Sequence, residues 1–165
     1  MADDRVDEMV EAWRRERPDL DPELEAMGTV GRLGRLAALG TRHIEEGMAA
    51  HGLSVPDFDV LAALRRSGAP HELKPSVISR TLMLSPAGMT SRLDRLERAG
   101  LVERRMDPDD RRSFLVRLND AGLAAIDAAV TSHVAREDAM LSVLTAAERA
   151  QLDALLRRLL APLEP

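Results

Sequence analysis

The chain has 165 residues, 45% of them hydrophobic and 31% charged, with a formal net charge of −5. That is the balance of an ordinary soluble globular chain, one domain long with room for extensions. The absence of cysteine excludes a disulfide framework, a thiol redox sensor and a thiolate metal site, and the four histidines (His43, His51, His71, His133) lack zinc-site spacing, so no metal or cofactor is expected. Apolar runs are short, as at Leu82–Met83–Leu84, and no apolar leader follows the acidic start, so a cytoplasmic place without a membrane is expected.

Residues 3–17 read as a polar helix with Val6, Met9, Val10 and Trp13 at i, i+3, i+4 and i+7. Pro18 ends it, and Asp21 is the expected N-cap of the next helix, with Pro22 at its first position. The helical pattern from 22 to about 50 runs through Leu24, Met27, Leu33, Leu36, Ile44 and Met48. Gly28, Gly31 and Gly34 interrupt it, each costing roughly 1 kcal/mol relative to alanine. We read this helix as continuous, its small residues admitting close approach of another backbone, and closed by Gly52.

Ser54 is the expected cap of a helix over about 55–66, and a short helix follows from Pro75 to Met83. Ser85-Pro86 opens another, whose Met89, Leu93 and Leu96 share one face before Gly100 stops it. Residues 101–105 and 113–118 alternate as strands around the turn Asp107–Pro108–Asp109–Asp110, which predicts a hairpin. Asn119 caps a helix over about 120–140, and Thr145-Ala-Ala-Glu148 is a capping box for a last helix carrying Leu152, Leu155, Leu156, Leu159 and Leu160. Two short helices, a brief turn and a basic hairpin make a winged helix-turn-helix. The expected fold is mainly α with a small β-hairpin: N-terminal helices over 1–53, the winged helix-turn-helix over 54–119, and C-terminal helices over 120–165, the long terminal helices serving dimerisation.

Charge supports a nucleic-acid partner once it is divided by region. Residues 74–117 hold ten Lys/Arg against six acids, a net +4, while the remainder carries −9. Aromatics are only Trp13, Phe58 and Phe114, too few for stacking single-stranded bases, so duplex DNA is the expected ligand. With Met89, Leu93 and Leu96 turned inward, the helix after Ser85 offers Ala87, Gly88, Thr90, Ser91 and Arg95 outward, with Ser85 beside its phosphate-attracting N-terminus. Each alone is also what a solvated helix face looks like. At the hairpin tip, Arg111 is assigned to DNA, and Arg112 either to DNA or to a pair with Asp110, where a surface salt bridge is the plain alternative.

The stretch from about Ser54 to Gly122, through SPAGMTSRLDRLERAGLVERRMDPDDRRSFLVRLNDAG, resembles the MarR family of bacterial regulators. Asn119 stands where that family usually has threonine, and both cap helices. The resemblance implies a homodimer with intertwined terminal helices that binds a pseudo-palindromic operator, usually as a repressor released by a small ligand. The added N-terminal helix with its tryptophan resembles the urate-responsive branch, which implies a ligand site of Trp13, Asp59, Arg92 and Arg104, with Asp57 a less well-placed competitor of Asp59. Independently, Arg92 lies between the inward positions Met89 and Leu93, and a half-buried arginine calls for an anionic partner. Asp59 is that expected partner, and a flat anion stacked on Trp13 would displace it. A structural Arg92–Asp59 pair with Trp13 as a staple explains the same residues without a ligand. Urate, an aromatic carboxylate or a polycarboxylate would each satisfy the charge.

Two rival classes compete with this reading. An enzyme is disfavoured, since no phosphate-cradling glycine loop and no nucleophile–base–orienter set is present, and Glu45/Glu46 and Asp109/Asp110 are adjacent in sequence. A winged-helix protein-interaction module without specific DNA binding is the alternative, and would lack the steep salt dependence of DNA affinity.

Overall fold

The computed structural model describes residues 4–83, 85–110 and 113–164 and falls into two compact units, Met1–Glu46 and Gly47–Pro165. In the first, α1 (Arg5–Glu16) begins under Asp4, whose carboxylate accepts from the Val6 and Asp7 amides while Asp7 returns a bond to the Asp4 amide. A single 3₁₀ turn (Pro18–Leu20) leads directly into α2 (Asp21–Ala49). Asp21 is therefore already helical (φ −51°, ψ −45°) and is not the expected cap; its carboxylate accepts from Arg14 Nε at 2.5 Å.

The glycine-interrupted helix is continuous over its 29 residues. A Cβ added at Gly28 would lie 3.4 Å from Val10, and one at Gly31 3.3 Å from Val6, whereas Gly34 faces open space. Two of the three glycines are thus where α1 comes down on α2, burying Val6 and Leu24. Arg32 clamps the packed pair, its guanidinium bonded to both Asp4 and Asp7.

The second unit is built around α3 (Val55–Arg66), which has the span expected and a Ser54 cap on the Asp57 amide. Its Val60, Leu61 and Leu64 are fully buried against α4 (Pro75–Thr81), α6 (Asp120–Met140) and the sheet. Helix α5 (Pro86–Arg98) packs on α4 and on β2 (Val102–Met106). Strand β3 (Phe114–Leu118) pairs with β2 in the register Arg104↔Val116 and Met106↔Phe114. A third strand, β1 (Glu72–Leu73), was not expected from the sequence; it pairs antiparallel with β3, giving the order β1–β3–β2. Two residues cannot show alternation, so β1 leaves no periodic signal. α7 (Ala146–Leu160) opens under the expected Thr145–Glu148 capping box. Seven α-helices and one small sheet make the described chain, and no helix among the described residues is long and apolar enough to cross a membrane.

Candidate nucleic-acid interface

Helix α5 starts at Ser85, whose hydroxyl accepts the Gly88 amide at 3.2 Å, satisfying one of the free donors of the first turn. Met89, Leu93 and Leu96 are buried to 2% exposure or less, fixing which face turns inward. Ala87, Gly88, Thr90 and Ser91 are exposed as expected, a surface of small and hydroxyl-bearing side chains that permits close approach to base edges.

Arg95 was expected to be available to DNA, and here the structure differs. Its guanidinium is held by Asp57 on α3, with Nη2 2.5 Å from Oδ1 and Nε 3.1 Å from Oδ2. Asp57 is almost fully buried and is itself engaged by Ser54 Oγ, which donates to Oδ2 at 2.6 Å. The Arg95 side chain remains half exposed, so one edge of the guanidinium is oriented by α3. Spacing ranks Asp57 second to Asp59; the signal that singles it out is Ser54-Val-Pro-Asp57, a cap-and-third-residue pattern. Arg111 and Arg112 lie outside the described residues. The turn before them is closed by the Asp107 carboxylate, which accepts the Asp109 amide at 2.9 Å, and by the Asp107 amide, which donates to the Ser113 carbonyl at 3.2 Å.

The four residues assigned to a ligand divide between the two units. Trp13, on α1, is 45% exposed and belongs to the N-terminal unit. Asp59, Arg92 and Arg104 belong to the second. Arg92 is half-buried, as its position between inward residues requires. The expected Arg92–Asp59 ion pair is not closed: among the described residues no hydrogen bond joins them, and Arg92 acts on Asp59 through space. Partial burial pushes the Asp59 carboxyl above the ordinary aspartate range, against the pull of Arg92, Arg66 and His133. Arg104 is committed elsewhere, bonded to Asp94 at 2.5 Å and Glu97 at 2.8 Å on α5, with its guanidinium 5.2 Å from the Phe114 ring centre.

A helix-turn-helix with a charged hairpin beside it defines the class, a DNA-binding transcriptional regulator. The model of the MarR family matches residues 51–113. The HTH-type transcriptional regulator PecS of Dickeya dadantii is 43% identical over 153 residues, covering 93% of this chain and 91% of PecS. A mutant MarR from E. coli, solved in complex with operator DNA, aligns at a TM-score of 0.68 and 25% identity over 90% of this chain and 97% of its own. A MarR-like regulator from Bacillus cereus shares the fold at a TM-score of 0.73 and 20% identity, over 86% of this chain and 99% of its own. The chain belongs to the MarR family of transcriptional regulators, and its relatives regulate transcription rather than catalyse reactions.

Proposed function

We propose that this regulator is a homodimeric repressor that reads a pseudo-palindromic operator and releases it on binding a small anion. Helix α5 enters the major groove with Ser85, Ala87, Gly88, Thr90 and Ser91, Arg95 follows one turn on under the control of Asp57, and Arg111 and Arg112 serve the hairpin's minor-groove contact. In this reading residues 54–119 hold the reading head and the helices over 1–53 and 120–165 hold the dimer. The observation that carries it is the sorting of α5, with Met89, Leu93 and Leu96 buried and the small residues of its first turns exposed. Exposed apolar side chains on and just after the last helix, among them Leu155, Leu159, Leu160 and Leu163, favour a second copy of the chain as their cover. Sedimentation at micromolar concentration is expected to give a dimer, and a monomer overturns that part.

The anion is placed at Arg92 and Asp59 with Arg104 contributing, urate being the first ligand to try, then aromatic carboxylates and polycarboxylates. The support is a half-buried arginine without an ion pair among the described residues and a carboxylate held above its ordinary range beside it. Mobility shift of the chain's own upstream DNA across salt tests the first half: affinity should fall steeply with log salt, and salt-insensitive binding refutes it. For the second half, Arg92→Ala should bind operator yet resist urate-driven release, and unchanged release eliminates the site.

A further inference from the structure

Asp107 is the most buried charged residue described, at 3% exposure, and it sits at the base of the hairpin turn. Its Oδ1 is used inside the turn, accepting the Asp109 amide, and its Oδ2 lies 2.7 Å from Lys74 Nζ. Ser113 closes the other side, donating its amide to the Asp110 carbonyl at 2.9 Å. Lys74 is fixed from both directions: β1 immediately before it pairs with β3 at Leu73↔Val116, and α4 begins at Pro75 immediately after it. It stands at the N-cap position of α4 but makes no capping bond there. A lysine is a poor cap, since its ammonium has no acceptor for the free amides. Its side chain instead reaches the hairpin turn.

We infer that Lys74 and Asp107 are a positioning pair that sets the hairpin against the helix-turn-helix, and thereby sets the hairpin's share of operator affinity. The inference rests on the proposed reading of the hairpin as a DNA-contacting wing. Two features of the site argue for it beyond simple stability. The pair joins the first helix of the helix-turn-helix to the one turn that must be aimed at a groove, so its geometry bears on docking more than on the core. The turn also carries Asp109 and Asp110, whose charges act on Lys74 and, with Asp107, hold its ammonium protonated. Lys74 thus brings a positive charge to a turn that carries three carboxylates, which by themselves would repel phosphates.

The test is operator affinity by fluorescence anisotropy over a salt series, with thermal melting and sedimentation of each variant. Asp107→Asn separates positioning from bulk charge. It removes a negative charge near DNA, so bulk electrostatics requires tighter binding, whereas loss of positioning requires weaker binding, by roughly tenfold, with the log–log salt slope falling by about 1. Lys74→Met, at a half-exposed site, should do the same, and Lys74→Arg should keep most of the affinity. The exchanged pair Lys74→Asp with Asp107→Lys should recover part of what either change loses. Tighter or unchanged binding by Asp107→Asn overturns the inference, as does a lower melting temperature with the salt slope intact. Arg111→Ala with Arg112→Ala is the control for the underlying reading. If that variant binds as the parent does, the wing reading fails; if it binds weakly while Lys74→Met matches the parent, only the positioning inference fails.

Discussion

Gly122, in the first turn of α6, is the position at which a single methyl group should be most disruptive. A Cβ built there would lie 1.9 Å from the Leu101 carbonyl oxygen, 2.9 Å from the Leu101 carbonyl carbon and 3.2 Å from Leu118 Cδ2. The first two are backbone atoms at the junction of α5 and β2, so no side chain can swing aside. The first turn of α6 would have to retreat by about 1 Å to reach even the tightest carbon contact found in proteins. That turn is pinned by Asn119, whose side chain accepts the Gly122 amide and donates to the Gly100 carbonyl, both at 2.8 Å.

Overpacking of this kind costs about 1–3 kcal/mol, and straining the two Asn119 hydrogen bonds adds about 1 kcal/mol. Alanine's better helix propensity returns at most about 1 kcal/mol. Gly122→Ala should therefore destabilise by about 1–3 kcal/mol, a roughly 5- to 150-fold shift in the folding equilibrium. In a chain of this length that lowers the melting temperature by about 2–12 °C. Denaturant unfolding at fixed protein concentration measures it, the fixed concentration being required because dimerisation would otherwise contribute to the apparent stability. Propensity alone predicts the opposite sign. An alanine variant as stable as the parent, or more so, would show that α6 does not sit on the α5–β2 junction as described.

The Asp59 carboxyl is held above its ordinary range by partial burial. Its native state therefore binds the proton more tightly than the unfolded chain, and stability falls as pH rises from the ordinary aspartate value through the raised one. Asp59→Asn should be more stable than the parent at pH 7, with the difference vanishing below about pH 4; equal stability at both ends removes the claim that this carboxylate is strained. Gly31→Leu should unseat α1, because an added Cβ already meets Val6 at 3.3 Å. As Trp13 is the chain's single tryptophan, a red shift of its emission reports the displacement, and an unchanged spectrum refutes the packing. Breaking the Asp57–Arg95 pair by Arg95→Ala leaves a buried carboxylate supported by Ser54 alone and should lower both stability, by about 1–2 kcal/mol, and operator affinity; loss of neither would make the pair incidental.

What could be read from residue order was whatever repeats locally. The span of α3, the inward face of α5, the hairpin and the caps at Ser54, Ser85, Asn119 and Thr145 all follow from patterns within a few residues. The features that escaped depend on partners distant in sequence or on elements too short to repeat. β1 is two residues long. Asp21 looked like a cap because Pro22 follows it, but the 3₁₀ turn before it carries helical geometry through that position. Periodicity turns Arg95 outward, as observed; it says which side a residue takes, not which carboxylate 38 residues away will hold it. The same holds for Arg104, whose partners Asp94 and Glu97 lie on the neighbouring helix, and for Lys74, which sequence marks only as one more basic residue.

These pairings bear on how strongly an effector could act. Helix α5 is fastened to its neighbours by charge on two sides, Arg95 to Asp57 on α3 and Asp94 with Glu97 to Arg104 on β2, in addition to its apolar seam. An anion at Arg104 must compete with two carboxylates already bonded there. An anion at Arg92 breaks no ion pair among the described residues and competes only with the through-space attraction between Arg92 and Asp59. The proposed effector therefore binds most readily at Arg92 and acts by repelling Asp59, while the pairs at Arg95 and Arg104 resist movement of the helix. A ligand shifts an equilibrium only by its differential affinity for the two states. Coupling through one such site is typically about 1–3 kcal/mol, a 5- to 150-fold loss of operator affinity, whereas near-complete switching between states needs about 5.5 kcal/mol. Release by one anion per subunit should accordingly be graded, and steeper when the Arg104 pairs are weakened: Glu97→Gln should make release more complete at the same effector concentration, and an unaltered release curve would show that these pairs do not restrain α5.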